Sequence, residues 1–264
     1  MSLLGIGLAA VVSACTPDRK LPGARDHGGA PARPPSTAHH GNVVTLDSIP
    51  PPRAGTPHTI FHAPHHTDQI ALTIDDGVCD DCVTAYVQFA ESTRIHLTFS
   101  PNGTYESKWS PHAEVLRGLI EAGQVQMANH TYSHLDLKQL TDSQVEAELE
   151  RNDEWIQKTF GITTRPWYRP PFGFHNKRVD TIAGNLGYTN VVMWNGSFGD
   201  ARLLTPDVLL TQARLYLTPG TIMLGHANHP TITSMFGEIQ QLIRDRNLAP
   251  VTLDEMFGTS RNGG

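Results

Sequence analysis

From residue 69 onward the chain alternates short apolar runs with longer amphipathic stretches. The apolar runs fall at 70–75 ("IALTID"), 95–100 ("IHLTFS"), 125–129 ("VQMAN"), 167–171 ("WYRPP"), 190–194 ("NVVMW"), 220–226 ("GTIMLGH") and 249–253 ("APVTL"). Runs this short, apolar almost throughout, predict strands of a parallel sheet covered on both faces. Helical spacing fills the intervals, at roughly 80–92, 111–122, 141–160, 176–187, 205–216 and 231–247. The clearest helix has Thr141 as N-cap, Val145, Leu149 and Ile156 on one face, and Gly161 as C-cap. Repeated β-α units predict an α/β fold, a (β/α) barrel one unit short of eight. Functional residues in such barrels sit at the C-terminal strand ends.

The first 60 residues follow a different pattern. Residues 3–15, "LLGIGLAAVVSAC", are apolar but too short to span a bilayer. Val12-Ser13-Ala14-Cys15 resembles the lipobox of bacterial lipoproteins, although residues 2–14 lack the usual Lys or Arg. The expectation is a signal segment over 1–15 and a lipid anchor at Cys15, which places the mature protein outside the cytoplasm at a bacterial cell envelope. Residues 16–60 are rich in Pro, Gly, His and Ala, cannot build a core, and predict a disordered tether. The folded domain is then 61–264.

Composition narrows the function classes. Hydrophobic residues at 39% and charged residues at 17% suit a soluble globular domain. A net charge of −6 with no Lys/Arg cluster excludes a nucleic-acid partner. Cys79 and Cys82 lack the second Cys or His pair of a structural zinc site. In an exported chain a local disulfide is favoured over free thiols, and a redox pair is least favoured.

The strand ends carry the candidate chemistry. "LTIDDG" closes the first run with Asp75 and Asp76, two carboxylates that repel each other and lose hydration. Such a pair either caps a helix or does chemistry. After the third run, "NHTYSH" sets His130 and His134 at i, i+4, within reach of one ion. Two imidazoles and a carboxylate make a three-ligand metal set with open positions. Arg169 in "RPPFG" offers a charged fork suited to a carboxylate. Asp200 in "WNGSFGD" and His226 in "IMLGH" end the next two runs.

In this order the segments "LTIDDG", "HTYSH", "RPPFG", an Asp after "VVMW", and "LGH" resemble the five motifs of the polysaccharide deacetylase family, carbohydrate esterase family four. The resemblance covers roughly residues 69–257. It implies a distorted (β/α)7 barrel and a metal-dependent hydrolase that removes N-acetyl groups from N-acetylglucosamine polysaccharide such as peptidoglycan or chitin. The rival readings are an O-acetyl esterase on xylan or another acetylated glycan, and an inactive glycan-binding module. Carried over by position, the resemblance makes Asp76, His130 and His134 ligands to zinc, or to cobalt or another divalent metal. Asp75 becomes the general base, oriented by Arg169, and His226 the general acid, paired with Asp200. The amide of Phe172 would hold the oxyanion, and Leu224 would line the acetyl pocket. Thr131 and Ser133 would support the histidine motif. Two departures stand out: Ser197 replaces an earlier Asp of the fourth motif, and Ala201 replaces a Trp that would wall the groove. Tyr105, Trp109, Trp167 and Phe174 are candidates for sugar stacking. A monomer acting on acetylated polysaccharide is the expected assembly.

Overall fold

The computed structural model describes residues 51–259, so Cys15 and most of the expected tether lie outside the described residues. The strands are β1 (His58–Ile60), β2 (Gln69–Asp76), β3 (Leu97–Pro101), β4 (Val125–Met127), β5 (Trp167–Tyr168), β6 (Asn190–Val192), β7 (Gly196–Ser197), β8 (Ile222–His226) and β9 (Ala249–Val251). All are expected from the apolar runs except β1 and β7. Helices α1 (Asp80–Thr93), α2 (Glu106–Trp109), α3 (Ala113–Glu121), α4 (Asp142–Phe160), α5 (Lys177–Asn185), α6 (Pro206–Tyr216), α7 (Pro230–Ser234), α8 (Phe236–Asp245) and α9 (Leu253–Phe257) fill the connections.

The ladders between these strands are parallel and form two sheets, ordered β4-β3-β2-β8-β7 and β1-β6-β5, with β9 beside the start of β2. A parallel bridge from Asn129 to Tyr168 links the end of β4 to β5. On the other side, β6 and β7 are successive parts of one bent run, the first pairing β5 and the second pairing β8. The circuit of pairings therefore returns on itself, in the manner of a distorted barrel.

Three expectations change. The tether expected over 16–60 ends earlier: His58–Ile60 pairs with Asn190–Val192, and the Gly55 N–H donates to the Gly184 carbonyl at 3.0 Å. "HTI" holds no proline, so its amides can join an edge even beside a Pro-rich segment. The helix expected at 111–122 forms as α3 from Ala113, after a 3₁₀ turn over Ser110–His112 that contains Pro111, and the short α2 before it was not expected. The helix at 231–247 is interrupted at Met235 (φ −108°, ψ 10°).

The clearest helix, α4, forms as its caps dictate. Thr141 accepts from the Gln144 N–H and the Gln144 side chain returns the bond, while Gly161 ends the helix at φ 78°. Among the described residues no helix is long and apolar enough to cross a membrane.

The two faces of β2 place the site. Ile70, Leu72 and Ile74 point into the main core, packed with Phe99, Met127 and the buried faces of α1 and α8. Ala71, on the other face, belongs to a second cluster with Trp167, Val192 and Ile222. Strand alternation then puts Thr73 and Asp75 on that inner face as well. A third cluster packs α4 and α5 against Tyr168 and Val191.

Candidate active site

Asp75 ends the inner face of β2 and is buried, and its register partner on β8 is His226. Arg169, just past β5, is 1% exposed. It donates from Nη1 to Asp75 Oδ1 (2.8 Å), from Nη2 to Thr73 Oγ1 (2.8 Å), and from Nε to the Val192 carbonyl (3.2 Å). The guanidinium is thus fixed by three different partners, with only Nη1 on one carboxylate oxygen of Asp75. The other, Oδ2, faces His130 Nε2 at 3.6 Å.

Asp76 reaches the site by a different route. Continued alternation would turn its side chain away, but its φ is 65°, a left-handed turn that ends the strand. The Trp109 indole N–H donates to the Asp76 carbonyl at 3.0 Å. Next comes Gly77 at φ 103°, where a Cβ would lie 2.0 Å from Trp109 Nε1, so only glycine fits. Asp76 Oδ1 then lies 3.3 Å from His130 Nε2 and 3.5 Å from His134 Nε2. Thr131 (φ 66°), His134 (φ 54°) and Phe172 (φ 58°) share this left-handed conformation. Such strain gathers where surrounding structure holds it in place.

The imidazole tautomer decides what the cluster can do. His130 Nδ1 lies 2.8 Å from the Arg169 carbonyl, which only accepts, so Nδ1 carries the proton. In the neutral ring Nε2 then keeps a lone pair aimed at Asp76 Oδ1, a buried oxygen with no hydrogen-bond partner. Two acceptors in such proximity call for a cation between them. The donor atoms of Asp76, His130 and His134 lie within 4.8 Å of one another and could hold a metal ion. The residue types suit a borderline divalent metal such as zinc.

The surroundings of Asp76 and His134 favour their ligand forms, whereas the carboxylates beside His130 favour its protonated form. Burial alone would raise the Asp76 carboxyl, but the close imidazole of His130 and its charge, with those of His134 and His226, hold it well below the carboxylate range. For His134, burial and the neighbouring His130 charge push the pKa down, toward the neutral form a ligand needs. In His130, burial pulls down but the Asp75 and Asp76 carboxylates outweigh it and raise the pKa.

Across the site, the His226 ring donates from Nδ1 to Asp200 Oδ1 (2.9 Å), and its backbone N–H donates to Asp200 Oδ2 (3.0 Å). Burial would lower the His226 pKa, but the bond and charge of buried Asp200 raise it. Leu224 lies two residues earlier on β8, nearly buried. The Phe172 ring is exposed and meets His134 edge-on at 4.5 Å.

The structure therefore brings together Asp75, Asp76, His130, His134 and Arg169, with Asp200 behind His226, and Phe172 at the rim. Thr131 takes the Asn129 side chain on its N–H, and the Ser133 N–H donates to Glu148. Trp109 and Trp167 do not reach the groove: both are fully buried, and the Trp167 indole donates to Asp254. Phe174 is half exposed, beside Phe172 and under Lys138. The sulfurs of Cys79 and Cys82 are bonded, at the start of α1. Thr73, Asn102, Asn129 and Asn228 tie the site together, yet sequence reasoning gave none of them a role. Thr73 and Asn129 lie within the quoted segments "LTIDDG" and "NHTYSH".

Comparison with known proteins agrees with this fold. Residues 62–191 match the polysaccharide deacetylase family, so the chain carries a domain of that family. The uncharacterized protein YlxY of Bacillus subtilis is 30% identical over 78% of this chain. This chain spans 62% of that relative's length. Among solved structures, the Bc1960 peptidoglycan N-acetylglucosamine deacetylase superposes with a TM-score of 0.69 at 21% identity, covering 77% of this chain and 94% of that one. BA3943 of Bacillus anthracis, described as a pseudoenzyme of carbohydrate esterase family four, gives 0.67 at 20% identity, covering 76% of this chain and 69% of its own. At these identities the structural likeness speaks for the fold alone.

Proposed function

We propose that this chain is a metal-dependent deacetylase that removes N-acetyl groups from N-acetylglucosamine units of an envelope polysaccharide, peptidoglycan or a chitin-like polymer. The observation that carries this reading is the buried Asp76 Oδ1, without a hydrogen-bond partner, 3.3 Å from His130 Nε2 and grouped with the donor atom of His134 within 4.8 Å. Asp76, His130 and His134 would hold the metal, zinc or cobalt. Bound there, a divalent metal supplies Lewis-acid polarisation of the acyl oxygen and lowers the pKa of water from about 15.7 to about 7.

The chain's own groups divide the remaining work. Arg169 occupies Asp75 Oδ1 and leaves Oδ2 directed at the site, so Asp75 is aimed to take the proton of the attacking water. The backbone N–H of Phe172 stands to donate to the developing oxyanion. His226, kept protonated by Asp200, hands a proton to the departing sugar nitrogen. Leu224 offers an apolar wall to the acetyl methyl. Ala201, in place of an aromatic, leaves that wall of the groove open.

The bonded Cys79–Cys82 pair supports an oxidising, extracytoplasmic setting. Cys15, outside the described residues, would supply the lipid anchor, and the enzyme would act as a monomer. The test is acetate release from purified peptidoglycan, chitooligosaccharides and acetylxylan, with EDTA and with zinc restored. Zinc-dependent release from an N-acetylated substrate is expected. Release from acetylxylan alone would replace the reading with an O-acetyl esterase, and no release from any would leave a glycan-binding module.

A further inference from the structure

Asn228 lies outside every strand-end motif, two residues beyond His226. Its Nδ2 donates to Asp76 Oδ2 at 2.6 Å, and its Oδ1 accepts from the backbone N–H groups of Gly77 (3.3 Å) and Val78 (3.1 Å). These partners fix which way the amide points. Flipped, it would set its NH₂ against two N–H donors and its oxygen against a carboxylate. The flanking backbone is tied down as well. The Ala227 N–H donates to the Asp75 carbonyl (3.0 Å), and the Cys79 N–H donates to the Ala227 carbonyl (3.1 Å).

This seat divides the two oxygens of Asp76. Oδ2 is taken by Asn228, whereas Oδ1 is buried without a hydrogen-bond partner and faces the Nε2 atoms of both histidines. We propose that Asn228 is a positioning residue for the metal, resting on the metal reading given above. By holding Oδ2 it keeps Asp76 a one-oxygen ligand and aims Oδ1 at the point where the imidazoles converge. A carboxylate free to turn about its Cβ–Cγ bond would present both oxygens and fill a position that water and the acyl oxygen need. The same loop carries His226, so the ligand's clamp and the proposed acid move as one piece. Nothing in "LGHAN" signals this, because the partner lies about 150 residues earlier in the chain.

The test compares the parent protein with Asn228→Ala and with the milder Asn228→Ser. Each is stripped with EDTA, checked for folding by circular dichroism, and titrated with zinc against a chromophoric chelator. The visible spectrum of each cobalt-loaded protein reports coordination directly. The proposal expects a zinc affinity about 10–100-fold weaker in folded variants, the range typical of lost partners to metal ligands, with an altered cobalt spectrum. Folded variants that bind zinc like the parent, with an unchanged cobalt spectrum, would overturn it. Weakening seen only where both variants have lost their folded signal would also overturn it, as a purely structural role. A parent protein that takes up no zinc would instead defeat the metal reading itself.

Discussion

The pairing of Arg169 with Asp75 is the most heavily buried charge contact in the site, and its removal has a calculable cost. Arg169→Met keeps much of the side chain's volume but leaves Asp75, 2% exposed, without its counter-charge. It also strips a donor from the Val192 carbonyl (3.2 Å) and from Thr73 Oγ1 (2.8 Å). Breaking a buried pair by deleting one partner costs about 3–5 kcal/mol. For a domain of this size that is a fall in Tm of about 6–20 °C. Asp75→Asn strands the arginine in the same way. The double variant removes both charges and is expected to be less destabilised than the sum of the singles, by at least about 1 kcal/mol. Urea unfolding of EDTA-stripped protein measures all four corners of this cycle without any contribution from metal. Additivity within about 0.5 kcal/mol would refute the argument that the pair is energetically coupled.

Other predictions concern pH, capping and the disulfide. His226 must start protonated to act as an acid, and Asp200 raises its pKa, so the proton persists to higher pH. Asp200→Asn is therefore expected to move the alkaline limb of the kcat/KM profile to lower pH, and an unmoved limb would remove Asp200 from that role. Thr141→Ala breaks the capping box of α4 and should cost about 1 kcal/mol in urea unfolding, with acetate release unchanged. Opening the short Cys79–Cys82 loop by Cys→Ser changes at both positions should cost about 2 kcal/mol by chain entropy. A double variant as stable as its parent would contradict this.

The sequence made the frame legible because parallel strands buried on both faces leave compact apolar runs, and helix caps leave local signals. Strand β7 escaped because two residues, Gly and Ser, carry no pattern. β1 escaped because its pairing depends on β6, distant in sequence. In the site, the charged residues were legible as motifs at strand ends. How Asp76 arrives there was not: alternation alone separates it from Asp75, and the left-handed turn at φ 65° brings it back. Trp109 looked like a sugar platform but is a core residue that donates to the Asp76 carbonyl. The amides that brace the site, Asn102 to the His130 carbonyl (2.6 Å) and Asn129 to the Thr131 N–H (2.9 Å), are ordinary residue types until the fold assembles them.

The central claim is that adjacent aspartates divide their work, Asp76 binding metal and Asp75 moving a proton. It is tested most directly by measuring zinc content and acetate release together in Asp75→Asn and Asp76→Asn. The account predicts that Asp75→Asn keeps its zinc and loses turnover, whereas Asp76→Asn loses both. Zinc lost equally from the two variants, or full turnover in Asp75→Asn, would contradict it.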